Sequence, residues 1–315
     1  MDGKPRVSVI IGIFNGERFL AETVASVFAQ TCTDWELLLV DDGSADQSAG
    51  IARRYAEQHP QSVRYLEHFG HRRRGQGATR NLGIKHATGE FIAILDHDDV
   101  WLPRKLERQV ALLDSYPEVA IVCGASRYWY SWAGAAPGQD ADYEQSLGVP
   151  PNRIYRPPDL LKPTLSEQVI PPIPTDMMFR KESICNLGGF EESFIGALSM
   201  FEDQAFLVKI YANLQVYISD ECWDLYRIHP DQHCAKVIRS GRKLETEYFF
   251  LSWASEYLAM QGLLDSEIEA IIRRRKWPYD HPLFARAKRA GKLLAAKARR
   301  AIHRRWDEQP GSEID

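Results

Sequence analysis

The chain has 315 residues, 44% of them hydrophobic and 26% charged, enough apolar content for a full core and too much for a disordered chain. Its 39 Lys and Arg against 43 Asp and Glu leave a net charge of -4, which gives no global attraction to nucleic acid. Five scattered cysteines, none in a CxxC pair, argue against a disulfide framework or a zinc ribbon and fit a reducing cytosol.

The opening apolar run is too short and too β-branched for a signal peptide, and no later stretch reaches bilayer-spanning length, so a soluble or surface-bound protein is expected. Residues 7–13 are a β-branched run that ends at Phe14-Asn15-Gly16. A helical pattern through Leu20, Val24 and Val27 follows, then a second apolar run at 35–40. Asp41-Asp42-Gly43-Ser44 stops that strand; a helix over 46–55 and a strand over 63–66 come next. The basic loop from His71 to Gly77 leads into a helix over 78–86, and a strand over 90–95 runs into Asp96-His97-Asp98-Asp99. This alternation predicts an α/β fold with a mostly parallel sheet, whose strand ends are where ligands bind. Residues 131–174 are rich in Gly and Pro and predict a long irregular connection with a boundary inside the core. Turn, helix and strand return over 188–225, and 242–315 is predicted helical.

Asp96, Asp98 and Asp99 are mutually repulsive unless a cation sits among them. Magnesium or manganese with a diphosphate fits such a carboxylate set; a loop in which Asp98 or Asp99 caps the next helix is the alternative. Glu202-Asp203 opens a helical segment over 204–211, suited either to a general base or to stabilising the helix dipole. His229 is a candidate ligand for a metal or phosphate, and Cys222, His229, His233 and Cys234 also invite a zinc reading. Gly75-Gln76-Gly77 lacks the spacing of either common phosphate loop, while Arg72, Arg73 and Arg74 supply positive charge beside it.

Taken in order, Val7-Ser8-Val9-Ile10 with Phe14-Asn15, Val40-Asp41-Asp42-Gly43-Ser44, Ala78-Thr79-Arg80-Asn81, Leu95-Asp96-His97-Asp98-Asp99-Val100-Trp101, Gly189-Phe190-Glu191-Glu192, Glu202-Asp203 and Tyr226-Arg227-Ile228-His229 resemble the family-two, inverting nucleotide-sugar glycosyltransferases over about residues 5–235. The resemblance implies a GT-A fold: a single Rossmann-like sheet flanked by helices, with residues 1–125 as the nucleotide-binding half, 126–240 as the acceptor-binding half and 241–315 as a helical extension. It implies that Phe14, with Asn15 beside it, stacks on the base, that Asp42 with Asp41 reads a pyrimidine, and that Arg80 lies near the nucleotide. It further implies that Asp96 contacts the ribose, that Asp98 and His229 hold Mn2+ or Mg2+, and that Asp203, beside Glu202, deprotonates an acceptor hydroxyl.

No Gln-x-x-Arg-Trp segment or membrane helix marks a processive polymerase, so single addition is expected. The chain has Gln204-Ala205-Phe206 and Lys209 where the family often carries another acid and an Arg, which leaves the acceptor contacts unassigned. The acceptor is a glycan, a lipid-linked glycan or a protein, with bacterial surface-glycan assembly in the cytoplasm the preferred setting. Residues 273–305 carry thirteen Lys or Arg against the single acid Asp280. The stripe of Leu283, Ala287, Ala290, Leu294, Ala298 and Ala301 predicts a basic amphipathic helix over 283–305, which either touches an anionic membrane or packs on the core. The alternatives are a sugar-phosphate nucleotidyltransferase, which lacks its expected N-terminal Gly-rich loop here, and a non-catalytic nucleotide-sugar or glycan-binding module.

Overall fold

The computed structural model describes residues 4–134 and 141–281. β1 (Val7–Ile13), α1 (Leu20–Phe28), β2 (Trp35–Asp41), α2 (Ser48–Gln58), β3 (Val63–Glu67), α3 (Gln76–His86) and β4 (Phe91–Asp96) alternate as the periodicity predicts. The four strands pair in parallel in the order β3-β2-β1-β4. β1 lies between β2 and β4 and is covered on both faces, which is why its sequence is continuously apolar rather than alternating. Its register sets Ile13 beside Asp41 and Gly12 beside Asp96, so the acid-bearing strand ends meet along one edge. α2 begins at Ser48, later than expected, because the Asp46 carboxylate accepts the Glu17 and Ser48 N–H groups from outside the helix.

The second half contributes β5 (Val100–Trp101), α4 (Lys105–Ser115), β6 (Val119–Trp129), β7 (Tyr143–Gln145), β8 (Arg153–Tyr155), α5 (Leu161–Leu165), β9 (Met178–Arg180), α6 (Lys181–Asn186), α7 (Glu202–Asn213) and β10 (Gln215–Arg227). The stretch expected to be irregular therefore supplies short elements: β7 on β6, β8 on β10, and one helical turn. Three-residue strands carry too little alternation to stand out in a sequence. β9 enters antiparallel between β4 and β6 and joins the two halves into one sheet. β5 separates Asp98 and Asp99 from α4, which starts at Lys105 after Arg104, so neither acid caps a helix. β10 shifts register against β6 at three points, and its far end pairs antiparallel with β5. Such irregularities bend a strand and redirect the chain beyond it.

Each sheet face has its own core. Val7, Val9 and Ile11 face α1 and α4 residues such as Val24 and Leu106, while Ile10 and Ile92 face the other side with Ile84, Phe190 and Phe206. α3 approaches β1 so closely that a Cβ on Gly83 would lie 2.5 Å from Ile10 Cγ2, a distance only glycine permits.

After β10 come α8 (His233–Arg239), α9 (Lys243–Met260) and α10 (Ser266–Asp280). Phe250, Leu251, Ala254, Leu258, Ile268 and Ile272 of the last two enter the same apolar cluster as Ile10 and Phe206. The Asp265 carboxylate caps α10 by accepting the Ile268 N–H at 2.7 Å. The basic stripe of 283–305 lies outside the described residues. Among the described residues, no helix is long and apolar enough to cross a membrane.

Candidate active site

The ends of β1, β2 and β4, the 73–75 loop, the start of α7 and the segment after β10 enclose a cleft of about 840 Å³. Phe14, Asn15, Asp42, Arg80, Asp96, Asp98, Glu202, Asp203 and His229 line it; Asp41 stands behind its wall.

At the β1 and β2 ends, Asn15 takes a left-handed turn (φ 51°), donates its N–H to Ser44 Oγ and accepts the Ala45 N–H at 2.8 Å, clipping two loops together. The Asp42 carboxylate accepts the backbone N–H groups of Arg74 (2.6 Å) and Gly75, which fixes the basic loop over the cleft. The Arg73 guanidinium lies 3.8 Å from the Phe14 ring centroid and its Nε 3.8 Å from Asp42, between the two groups that the resemblance gives to the base. A base stacked on that face of Phe14 has to displace it. Asp41, fully buried, accepts the Ser44 N–H and faces His71, whose ring bonds the Ser44 carbonyl and Glu67; these acceptors hold the imidazole above its ordinary pKa.

The carboxylates at the end of β4 divide their work. Asp98 Oδ2 lies 3.0 Å from His229 Nε2; burial raises its pKa, but His97 and His229 carry it below the ordinary carboxylate value. Asp99 is fully buried, accepting the Arg227 N–H (2.9 Å) and the Thr175 hydroxyl (2.6 Å), and burial with the charges of Asp98 and Asp96 pushes it well above the usual range. The mutual repulsion of the cluster thus favours the neutral form of Asp99. Gly16 packs against His97 so closely that a Cβ there would meet its ring at 2.3 Å, while His97 Nδ1 contacts the Gly12 carbonyl at 3.2 Å.

Arg80 is 3% exposed and bridges Asp96 (2.7 Å) to Glu202 (2.5 Å). Burial works against its charge, but the two carboxylates outweigh burial and keep the guanidinium protonated. Of the two, Asp96 is the partner that lines the cleft with part of its surface exposed, while Glu202, 1% exposed, stands on Arg80 with its other oxygen unpartnered. Burial raises the Glu202 carboxyl to about 7 and the Asp203 carboxyl to about 6, in both cases against the pull of Arg80. Asp203 is half-buried at the start of α7, accepting the Gln204 N–H, and is the more accessible of the pair.

The donor set at Asp98 and His229 fits a hard divalent cation: cis ligands about 2.1 Å from a metal lie about 3 Å apart, the spacing seen between Oδ2 and Nε2. The zinc alternative is not assembled. Cys222 Sγ contacts the Asp224 carbonyl and His233 Nε2 contacts Ser199 Oγ, while His229 is on Asp98.

Three supports carry no role in the sequence reading. Thr175 accepts the Asp96 N–H and donates to Asp99, yet it comes directly after the Pro-rich stretch that reads as irregular. Arg227, 2% exposed, lies among the rings of Phe19, Trp129 and Trp132, donates to the Asp98 carbonyl (2.6 Å) and pairs with Glu22. Thr23 of α1 donates to the carbonyls of His97 and Asp99. Only the adjacency of Arg227 to His229 signalled any of this.

Residues 8–187, more than half of the chain, match the family model for glycosyl transferase family 2. The chain belongs to this family. Among curated relatives, EpsE of Bacillus subtilis (strain 168), a glycosyltransferase by name, is 40% identical over 122 residues, 39% of this chain and 43% of its own. WfgD of Escherichia coli, named as a UDP-Glc:alpha-D-GlcNAc-diphosphoundecaprenol beta-1,3-glucosyltransferase, is 34% identical over 107 residues, 34% of this chain and 40% of its own. The matched stretch is less than half the length of either relative. The crystal structure of S. aureus TarS 1-349 in complex with UDP superposes with a TM-score of 0.60 at 20% identity, covering 86% of this chain and 70% of that one. The fold is thus that of the GT-A glycosyltransferases of family 2.

Proposed function

We propose that the protein transfers a sugar from a nucleoside-diphosphate sugar to an acceptor hydroxyl with inversion at the sugar carbon. The observation that carries this reading is the convergence on one cleft of the Asp98–His229 pair, Asp42 beside Phe14, and Asp203. Phe14 and Asp42 receive the base, and Asp96, braced by Arg80, receives the ribose. Asp98 and His229 would hold Mn2+ or Mg2+, whose chemistry there is to neutralise charge on the departing nucleoside diphosphate. The Asp203 carboxylate takes the acceptor proton as the hydroxyl oxygen bonds to the anomeric carbon and the bond to the diphosphate oxygen breaks. A single base suffices for one in-line displacement. The donor named for WfgD supports uridine as the base, and its named acceptor supports a lipid-linked sugar diphosphate.

In this reading residues 1–240 are the catalytic domain, divided near 125 into donor and acceptor halves, and 241–315 extend it. The enzyme works in the cytoplasm, with the 283–305 stripe available to an anionic membrane. The testing experiment is hydrolysis of a panel of nucleotide sugars with Mn2+, Mg2+ or EDTA by the native chain and by Asp98→Ala. Metal-dependent release of one nucleoside diphosphate, lost in the variant, is expected; absence of both turnover and binding for every donor in the panel overturns the proposal.

A further inference from the structure

Phe69 is 98% exposed, at the tip of the turn His68-Phe69-Gly70-His71. The turn is anchored on both sides. His68 Nε2 contacts Thr79 Oγ1 at 3.2 Å, His71 bonds the Ser44 carbonyl and Glu67, and Asp42 holds the N–H groups of Arg74 and Gly75. These bonds hold the loop in place with the Phe69 ring outward, leaving a large apolar group in water. Beside it, a hollow of about 400 Å³ between the loop and α3 is lined by His68, Phe69, Arg72, Arg74 and Lys85, with Glu192 as its only acid. Glu192 is already engaged by Asn81 Nδ2 at 3.0 Å, and Arg72, Arg74 and Lys85 have no carboxylate partner among the described residues.

One exposed ring in a polar neighbourhood is ordinary. A fixed outward aromatic flanked by three unpaired cations matches the two demands of a membrane surface: a group for the headgroup–acyl boundary and charges for anionic headgroups. We propose that the 68–74 loop and the adjoining face of α3 dock on an anionic bilayer, with Phe69 entering the boundary and Arg72, Arg74 and Lys85 meeting lipid phosphates. The surface uses none of residues 283–305, which lie outside the described residues. Arg73 and Gly75 of the same segment line the cleft, so docking sets the mouth of the cleft against the bilayer. That a lipid-linked acceptor is met there rests on the proposed function; the docking itself does not.

The test is co-sedimentation of the full chain with phosphatidylglycerol or phosphatidylcholine vesicles at ~0.1 M salt, with nucleotide-sugar hydrolysis and circular dichroism as controls of folding. Phosphatidylglycerol binding should weaken about tenfold in Phe69→Asp, persist in Phe69→Trp, and lose its preference over phosphatidylcholine in the double variant R72E/K85E. Native-like binding by Phe69→Asp and the double variant assigns any membrane affinity elsewhere and overturns the proposal. So does displacement from vesicles by millimolar inorganic phosphate, which makes the hollow a site for the free anion. Loss of hydrolysis in the native chain bears only on the transferase reading.

Discussion

Asp98 Oδ2 and His229 Nε2 meet at 3.0 Å although 131 positions separate them in the chain. If this pair is the cation site, Asp98→Ala and His229→Ala each weaken Mn2+ binding by ~10-fold or more, because each removes one of two protein ligands. Calorimetric titration with Mn2+ reads this directly; equal affinities in native and both variants would remove the pair from metal binding.

Arg227 is expected to matter through the groups it holds. Its pair with Glu22 is half-exposed on the acid's side and contributes little. Its packing among three rings and its bond to the Asp98 carbonyl are buried, so Arg227→Ala should lower unfolding stability by about 3 kcal/mol. Arg227→Lys keeps the charge but not the planar stacking, and should recover only part of the loss. Denaturant unfolding of both variants checks the order.

A base with a carboxyl near 6 gives a defined pH profile. If Asp203 is the base it must be ionised to accept a proton, so kcat/KM should rise with pH through about 6 and level off above it. Asp203→Asn should remove turnover while donor binding survives. A profile flat from pH 5 to 8 would assign the proton elsewhere.

Thr175→Val keeps the shape but withdraws the acceptor for the Asp96 N–H and the donor to Asp99. Leaving these buried groups unpartnered should cost about 2 kcal/mol in urea unfolding and weaken donor binding together. Unchanged stability would mean that the two acids are held by their other bonds.

The parallel half of the sheet was legible in the sequence because β1, β2 and β4 are long, apolar and separated by amphipathic helices. β9 was not: its three residues follow closely on Pro171, Pro172 and Pro174, are too few to show an alternation, and take strand form in pairing with β4 and β6. In the site, residue types and order pointed to the cleft, where Asp42, Asp98, Asp203 and His229 all lie. The part each plays beside its neighbours was hidden. Arg80 next to the nucleotide motifs is spatially a brace between Asp96 and Glu202, and Asp99, adjacent to Asp98, is a buried strut. Both outcomes depend on partners over a hundred residues away, which no local pattern encodes.

The bends in β10 that return the chain to Asp98 and Asp99 have a temporal consequence. While the chain is being made, the first half can form its parallel sheet and present Asp98, but the imidazole opposite it and the N–H that steadies Asp99 arrive only when β10 has been threaded into place. If the Asp98–His229 pair is the cation site, a cation can be captured there only once the fold is complete.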